Sequence, residues 1–184
     1  MEKALIVHGV GGHPGENWFP WLKKELEKLG IRVFVPQFPT PKKQELGEWM
    51  KVFEGIRNEL GENPILVGHS LGAPFLLNIL ETNKAKCCFL VAGFTGVAGN
   101  EFDPGMKSFA QREFNWEKIR ENCPVFCVFH SDSDPYIKLE KGQELAEKLG
   151  AELALVMGAG HFNEKAGYVE FKLLLEKIKK ELGR

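Results

Sequence analysis

The sequence predicts an α/β protein in three layers: one domain over residues 1–184, with about six parallel strands in a single sheet and helices on both faces. Three observations predict it. Short apolar runs alternate with amphipathic stretches along the whole chain, the pattern of strand–helix–strand units. The apolar runs are continuous rather than alternating, as strands buried on both faces must be. Finally, 184 residues supply one substantial core but not two ordinary domains.

The elements follow in order. Ala4–Val7 is the first strand; it stands directly after Met1-Glu2-Lys3, too short and without the small-residue cleavage site of a secretory signal. Trp18–Leu29 is a helix closed by Gly30, and Ile31–Val35 the second strand. Glu45–Leu60 is a helix closed by Gly61, Ile65–Val67 the third strand, and Leu71–Leu80 the helix after it. Cys87–Ala92 is the fourth strand. The segment from Gly93 to Glu113, with Gly96, Gly99 and Gly105, shows no clear period and is expected as a long loop. Trp116–Asn122 is helical, Val125–Phe129 the fifth strand, Leu139–Leu149 a helix closed by Gly150, Leu153–Met157 the sixth strand and Tyr168–Leu182 the last helix. The glycines stand where a left-handed C′ residue ends a helix. Right-handed crossovers leave only a few doubly wound topologies. In such sheets ligands bind at the carboxyl ends of the strands, so the 93–113 segment is expected to border the site.

Composition excludes several classes. A formal net charge of -1 without a markedly basic window argues against nucleic acid or an anionic membrane as partner. No apolar run approaches the roughly 20 residues of a membrane span. Cys87, Cys88, Cys123 and Cys127 match neither a disulfide framework nor zinc knuckles, and adjacent Cys87 and Cys88 face opposite sides of a strand. Reduced, buried thiols in a cytoplasmic protein are expected, with no metal or cofactor. The oligomeric state is open, and a monomer is compatible with the chain.

The strand ends carry the chemistry. Pro64 to Pro74 contains Gly68-His69-Ser70-Leu71-Gly72 between a buried strand and a small-residue helix start. A serine at the apex of so sharp a corner sits in strained backbone, and Gly68 and Gly72 remove the side chains that would collide there. Strain of this kind suggests a nucleophile. Beyond the first strand lies His8-Gly9-Val10-Gly11-Gly12, beyond the fifth Ser131-Asp132-Ser133-Asp134-Pro135, and beyond the sixth Gly158-Ala159-Gly160-His161-Phe162. All four loops share one sheet edge. A serine hydroxyl needs a base, and imidazole suits neutral pH; a carboxylate then orients the imidazole. The chain order Ser70, Asp134, His161 is one in which such triads occur.

His161, flanked by small residues, is favoured as base over His69, His8, His13 and His130. Asp134, set before Pro135, is favoured over Asp132, whose other role is turn formation. The backbone N–H groups of Val10 and Leu71 are the expected oxyanion donors. A phosphate-binding reading of His8–Gly12 is weaker, because Gly-x-Gly-x-x-Gly and Gly-Lys-Ser/Thr are both absent.

These motifs, with Asn17-Trp18-Phe19-Pro20-Trp21-Leu22, Val35-Pro36-Gln37-Phe38-Pro39, Glu48-Trp49, Ser133-Asp134-Pro135-Tyr136 and Gly160-His161-Phe162, make the chain resemble the small serine hydrolases related to retinoblastoma-binding protein nine, nearly end to end. The resemblance implies a minimal α/β-hydrolase fold, lacking the first two antiparallel strands and any cap domain. It also implies a Ser70–Asp134–His161 triad acting on small ester or amide substrates; some relatives have aminopeptidase-like activity. Lys42-Lys43-Gln44 departs from the family's second proline-rich turn, which bears on the substrate rim. The Leu-x-Cys-x-Glu string behind the family name is absent, so that partner is not carried over. A shallow pocket walled by loops is expected, with His8, Trp18, Phe38, Phe94, Phe109 and Phe162 as candidates for its lining, against the alternative of core packing. The expected function is hydrolysis through an acyl-enzyme on Ser70; the alternatives are a non-catalytic binding protein on the same fold and an acyltransferase.

Overall fold

A computed structural model describes all 184 residues. The apolar runs become β1 (Lys3–Val7), β2 (Arg32–Phe34), β3 (Ile65–His69), β4 (Cys87–Val91), β5 (Phe126–His130) and β6 (Glu152–Leu155). They form one sheet in the order β2-β1-β3-β4-β5-β6, and every neighbouring pair is parallel.

Side chains alternate across a strand, so each run feeds two cores. Leu5, Val7, Leu66, Cys88, Leu90 and Val128 pack under α2 (Leu46–Leu60), α3 (Gly72–Leu80), α4 (Asp103–Ala110), α5 (Trp116–Asn122) and α6 (Leu139–Leu149). Ala4, Ile6, Val67, Cys87, Phe89 and Phe129 pack under α1 (Phe19–Lys28) and α7 (Lys172–Glu181). The result is the three-layer α/β arrangement the sequence predicts. Residues of α3 are buried throughout, as its nearly unbroken apolar composition requires. All four cysteines are free and buried; burial pushes Cys87, Cys123 and Cys127 up to about 12, so they are inert thiols.

Two expectations need correction. The 93–113 segment is not all loop: Asp103–Ala110 is helical. Eight residues that include Pro104 and Gly105 are too few to show a helical period. The last helix begins at Lys172 rather than Tyr168, with a 3-10 turn at Glu164–Ala166 before it. No helix is long and apolar enough to cross a membrane.

The chain runs from β1 outward to β2, then returns past β1 to β3. The crevice beyond the carboxyl ends of β1 and β3 is therefore the topological switch point, where ligands bind in open α/β sheets. The His8–Gly12 and Ser70 loops both leave the sheet there.

Candidate active site

β3 ends at His69 and α3 begins at Gly72, so Ser70 and Leu71 make the whole turn. Ser70 has φ 53, a left-handed conformation that costs a non-glycine residue about 1 kcal/mol or more. Its N–H donates to the Val91 carbonyl at 2.9 Å, which ties the turn to β4. A Cβ at Gly68 would lie 2.7 Å from the Gly72 carbonyl oxygen, and one at Gly72 would overlap the Val7 carbonyl. The strand–helix corner closes only with glycine at both places. The first loop presses on the serine from the other side, since a Cβ at Gly9 would lie 2.9 Å from Ser70 Cβ.

Asp134 and His161 are joined: His161 Nδ1 donates to Asp134 Oδ2 at 2.8 Å. The other oxygen, Oδ1, accepts from the N–H groups of Tyr136 at 2.9 Å and Ile137 at 3.0 Å. The carboxylate is fully shielded while the imidazole keeps an exposed edge. Burial alone would raise the Asp134 pKa, but the His161 hydrogen bond and charge and the two backbone donors outweigh it. The carboxyl stays below its ordinary value, and ionised. With Nδ1 committed as donor, Nε2 carries the lone pair. Ser70 and His161 line the same cleft. No hydrogen bond joins their side chains in this arrangement; contacts of that kind commonly tighten on substrate binding.

The His161 loop is held residue by residue. Asp132 Oδ1 accepts from Gly158 N–H at 2.7 Å, Ser131 Oγ from Ala159 N–H at 3.0 Å and Ser133 Oγ from Gly160 N–H at 3.1 Å. Residues 131–134 thus grip residues 158–161. On its other flank, His69 Nε2 donates to the His161 carbonyl at 2.8 Å and Trp18 Nε1 to the Phe162 carbonyl at 2.9 Å. Asn17 and Glu164 exchange two bonds, Asn17 N–H to Glu164 Oε1 at 2.9 Å and Glu164 N–H to Asn17 Oδ1 at 3.0 Å. This grip is not evident from the sequence. Its only local signal is the run Ser131-Asp132-Ser133-Asp134, and it turns Asp132 from a rival orienting carboxylate into a loop tether.

The other histidines are differently occupied. Burial, and then the neighbouring His161, lowers the His69 pKa to about 3, so His69 is a neutral donor. His8 donates from Nδ1 to the Gly9 carbonyl at 2.8 Å and accepts the Phe38 N–H on Nε2 at 3.0 Å; burial lowers its pKa. His130 is buried beside Gly142 and donates to the Ile137 carbonyl at 3.0 Å. His13 is exposed at the cleft mouth.

The cleft over Ser70 has a volume of about 480 Å³. Val10 lines it, and no backbone carbonyl accepts from the N–H of Val10 or of Leu71, so both donors are free. The expected lining is corrected. His8, Trp18, Phe38, Phe94, Phe109 and Phe162 are fully buried and none lines the cleft. Phe38 stacks on Trp49 and Phe162 on Phe171, because large apolar rings gain most from complete burial. The aromatic residues on the cleft are Phe102 and Tyr136. No cluster of three or more His, Cys, Asp or Glu side chains is placed to hold a metal.

Comparison with known proteins bears on family and fold. A family profile described as serine hydrolase matches residues 4–180. The chain is 32% identical over 183 residues to serine hydrolase RBBP9 of Rattus norvegicus, a match covering 98% of this chain and 95% of that one. The crystal structure of the ydeN gene product of Bacillus subtilis superposes with a TM-score of 0.91 at 28% identity, covering 100% of both chains. Est1E of Butyrivibrio proteoclasticus, solved with ferulic acid, shares the fold with a TM-score of 0.72 at 15% identity, covering 97% of this chain and 90% of that one.

Proposed function

The chain belongs to the serine hydrolase family, and from that premise we propose that it cleaves small carboxylic esters or amides through an acyl-enzyme on Ser70. It does so as one domain, without metal or cofactor. One observation carries the reading: a serine at φ 53 shares its cleft with an imidazole whose far nitrogen is bonded to a shielded, ionised carboxylate.

The steps follow from the atoms. Ser70 Oγ attacks the substrate carbonyl carbon while His161 Nε2 takes the hydroxyl proton. Asp134 keeps the proton on Nδ1 and stabilises the imidazolium. The carbonyl oxygen, now negative, meets the free N–H groups of Val10 and Leu71, the second at the start of α3; such donors are worth about 3–4 kcal/mol each. Collapse expels the alcohol or amine, which takes the proton from His161. Water, deprotonated by the same nitrogen, then attacks the acyl-enzyme, releasing the acid and restoring Ser70.

A fluorophosphonate probe tests this directly. The wild type should be labelled at Ser70, and Ser70→Ala should lose both labelling and the hydrolysis of p-nitrophenyl butyrate. Equal labelling or turnover by Ser70→Ala would sink the proposal.

A further inference from the structure

The cleft at Ser70 has two walls of different chemistry, each drawn from different segments. Phe102 and Met106 from the start of α4, with Tyr136 and Ile137 from the loop after β5, are its apolar lining; Asn17 and Glu164, bonded to each other, mark the polar side. The apolar wall is held in place. The Asp103 carboxylate accepts from the N–H groups of Ala98 and Gly99 at 2.8 Å each and of Asn100 at 3.0 Å, and Asn100 Nδ2 donates to the Tyr136 carbonyl at 2.9 Å. Gln44, in the stretch that departs from the family pattern, donates to the Gly105 carbonyl at 2.9 Å. The Phe102 and Tyr136 rings meet edge-on at 6.1 Å, and Tyr136 meets the His161 ring at 5.0 Å. Phe102 nevertheless remains 38% exposed, an apolar surface open to the cleft.

Chemistry orients the substrate between these walls. The leaving group must receive its proton from His161, and the polar wall is the continuation of the His161 loop together with the Asn17 segment bonded to it. The acyl chain is then left to the α4 side. We infer that Phe102 and Met106, with Tyr136 and Ile137, form the acyl-binding wall. The substrates are esters or amides of short to medium apolar acids with a polar leaving group. The inference rests on the reading of Ser70 as nucleophile.

The test compares methyl hexanoate, methyl acetate and hexyl acetate as substrates of the full chain and of two variants at the exposed position, Phe102→Ala and Phe102→Lys. The wild type should favour hexanoate over acetate by about three- to fourfold in kcat/KM for each methylene that reaches the wall, and should favour methyl hexanoate over hexyl acetate. In both variants the hexanoate-to-acetate ratio should fall by about tenfold, more for lysine. An unchanged ratio, or a wild-type preference for hexyl acetate, overturns the assignment. Ser70→Ala separates the two levels. If it is inactive while the ratio is unmoved, the wall is wrong and the nucleophile stands; if it still turns over substrate, the nucleophile reading itself fails.

Discussion

The Ser70 elbow and the His161 loop each hold a reacting group in place, and they do it by opposite means. At the elbow backbone sterics decide: Gly68 must pass the Gly72 carbonyl and Gly72 the Val7 carbonyl of β1, so the corner admits no side chain at either position. The base loop contains Gly158 and Gly160, both at positive φ, and is anchored in the core by Ala159 and Phe162, which leave the orientation of the His161 backbone to hydrogen bonds. That backbone is held by side chains from the loop after β5, from His69 and from Trp18. Steric fixation is all or nothing, whereas fixation by many hydrogen bonds yields one bond at a time.

That difference can be broken at four levels. Gly72→Val drives a side chain into the Val7 carbonyl and should leave no folded protein by circular dichroism, a loss above about 4 kcal/mol. Gly158→Ala meets no neighbour and should cost only about 1 kcal/mol for its positive φ. Asp134→Asn should retain a native melting profile but lower kcat by about 10³–10⁴, since the imidazole loses its orienting charge. Asp132→Ala removes one tether of the base loop and should lower kcat by about tenfold with little change in KM, at about 1 kcal/mol of stability. Wild-type kcat in that variant would show the grip to be redundant.

A pH slope sharpens the comparison from the side of His69. The folded pKa of His69, about 3, lies below the 6.5 of an unfolded histidine. The unfolded chain therefore binds a proton that the folded one refuses. The stability His69 contributes is fully present above pH 6.5 and is lost as pH falls toward 3, at up to about 1.4 kcal/mol per pH unit. Asp134, also depressed, adds to the loss at still lower pH. Urea midpoints between pH 7 and 4.5 should fall with acidity, and His69→Gln should flatten that decline; parallel slopes would exclude His69 as its source.

The strands, the elbow and the order of serine, aspartate and histidine were legible because each is written in adjacent residues or in strand–helix alternation. The lining of the cleft was not. Trp18 and Phe162 stand beside the glycine-rich and histidine loops in sequence, and nearness in sequence says nothing of which side of the backbone a ring takes. Phe102 and Met106 lay hidden in a segment whose short helix leaves no periodic trace. The grip of residues 131–134 on 158–161 links segments 27 residues apart, a distance over which no local pattern operates.

By itself the sequence determined a parallel α/β sheet and a serine poised on a strained corner, because the alternation of apolar runs and the Gly-x-Ser-x-Gly string are written in adjacent residues. Only the tertiary structure decided which aspartate meets His161, which aromatic rings face the cleft and which wall is apolar. Those depend on strand order and on the rotation of each loop as it leaves the sheet, quantities set by packing between segments that are distant in the chain.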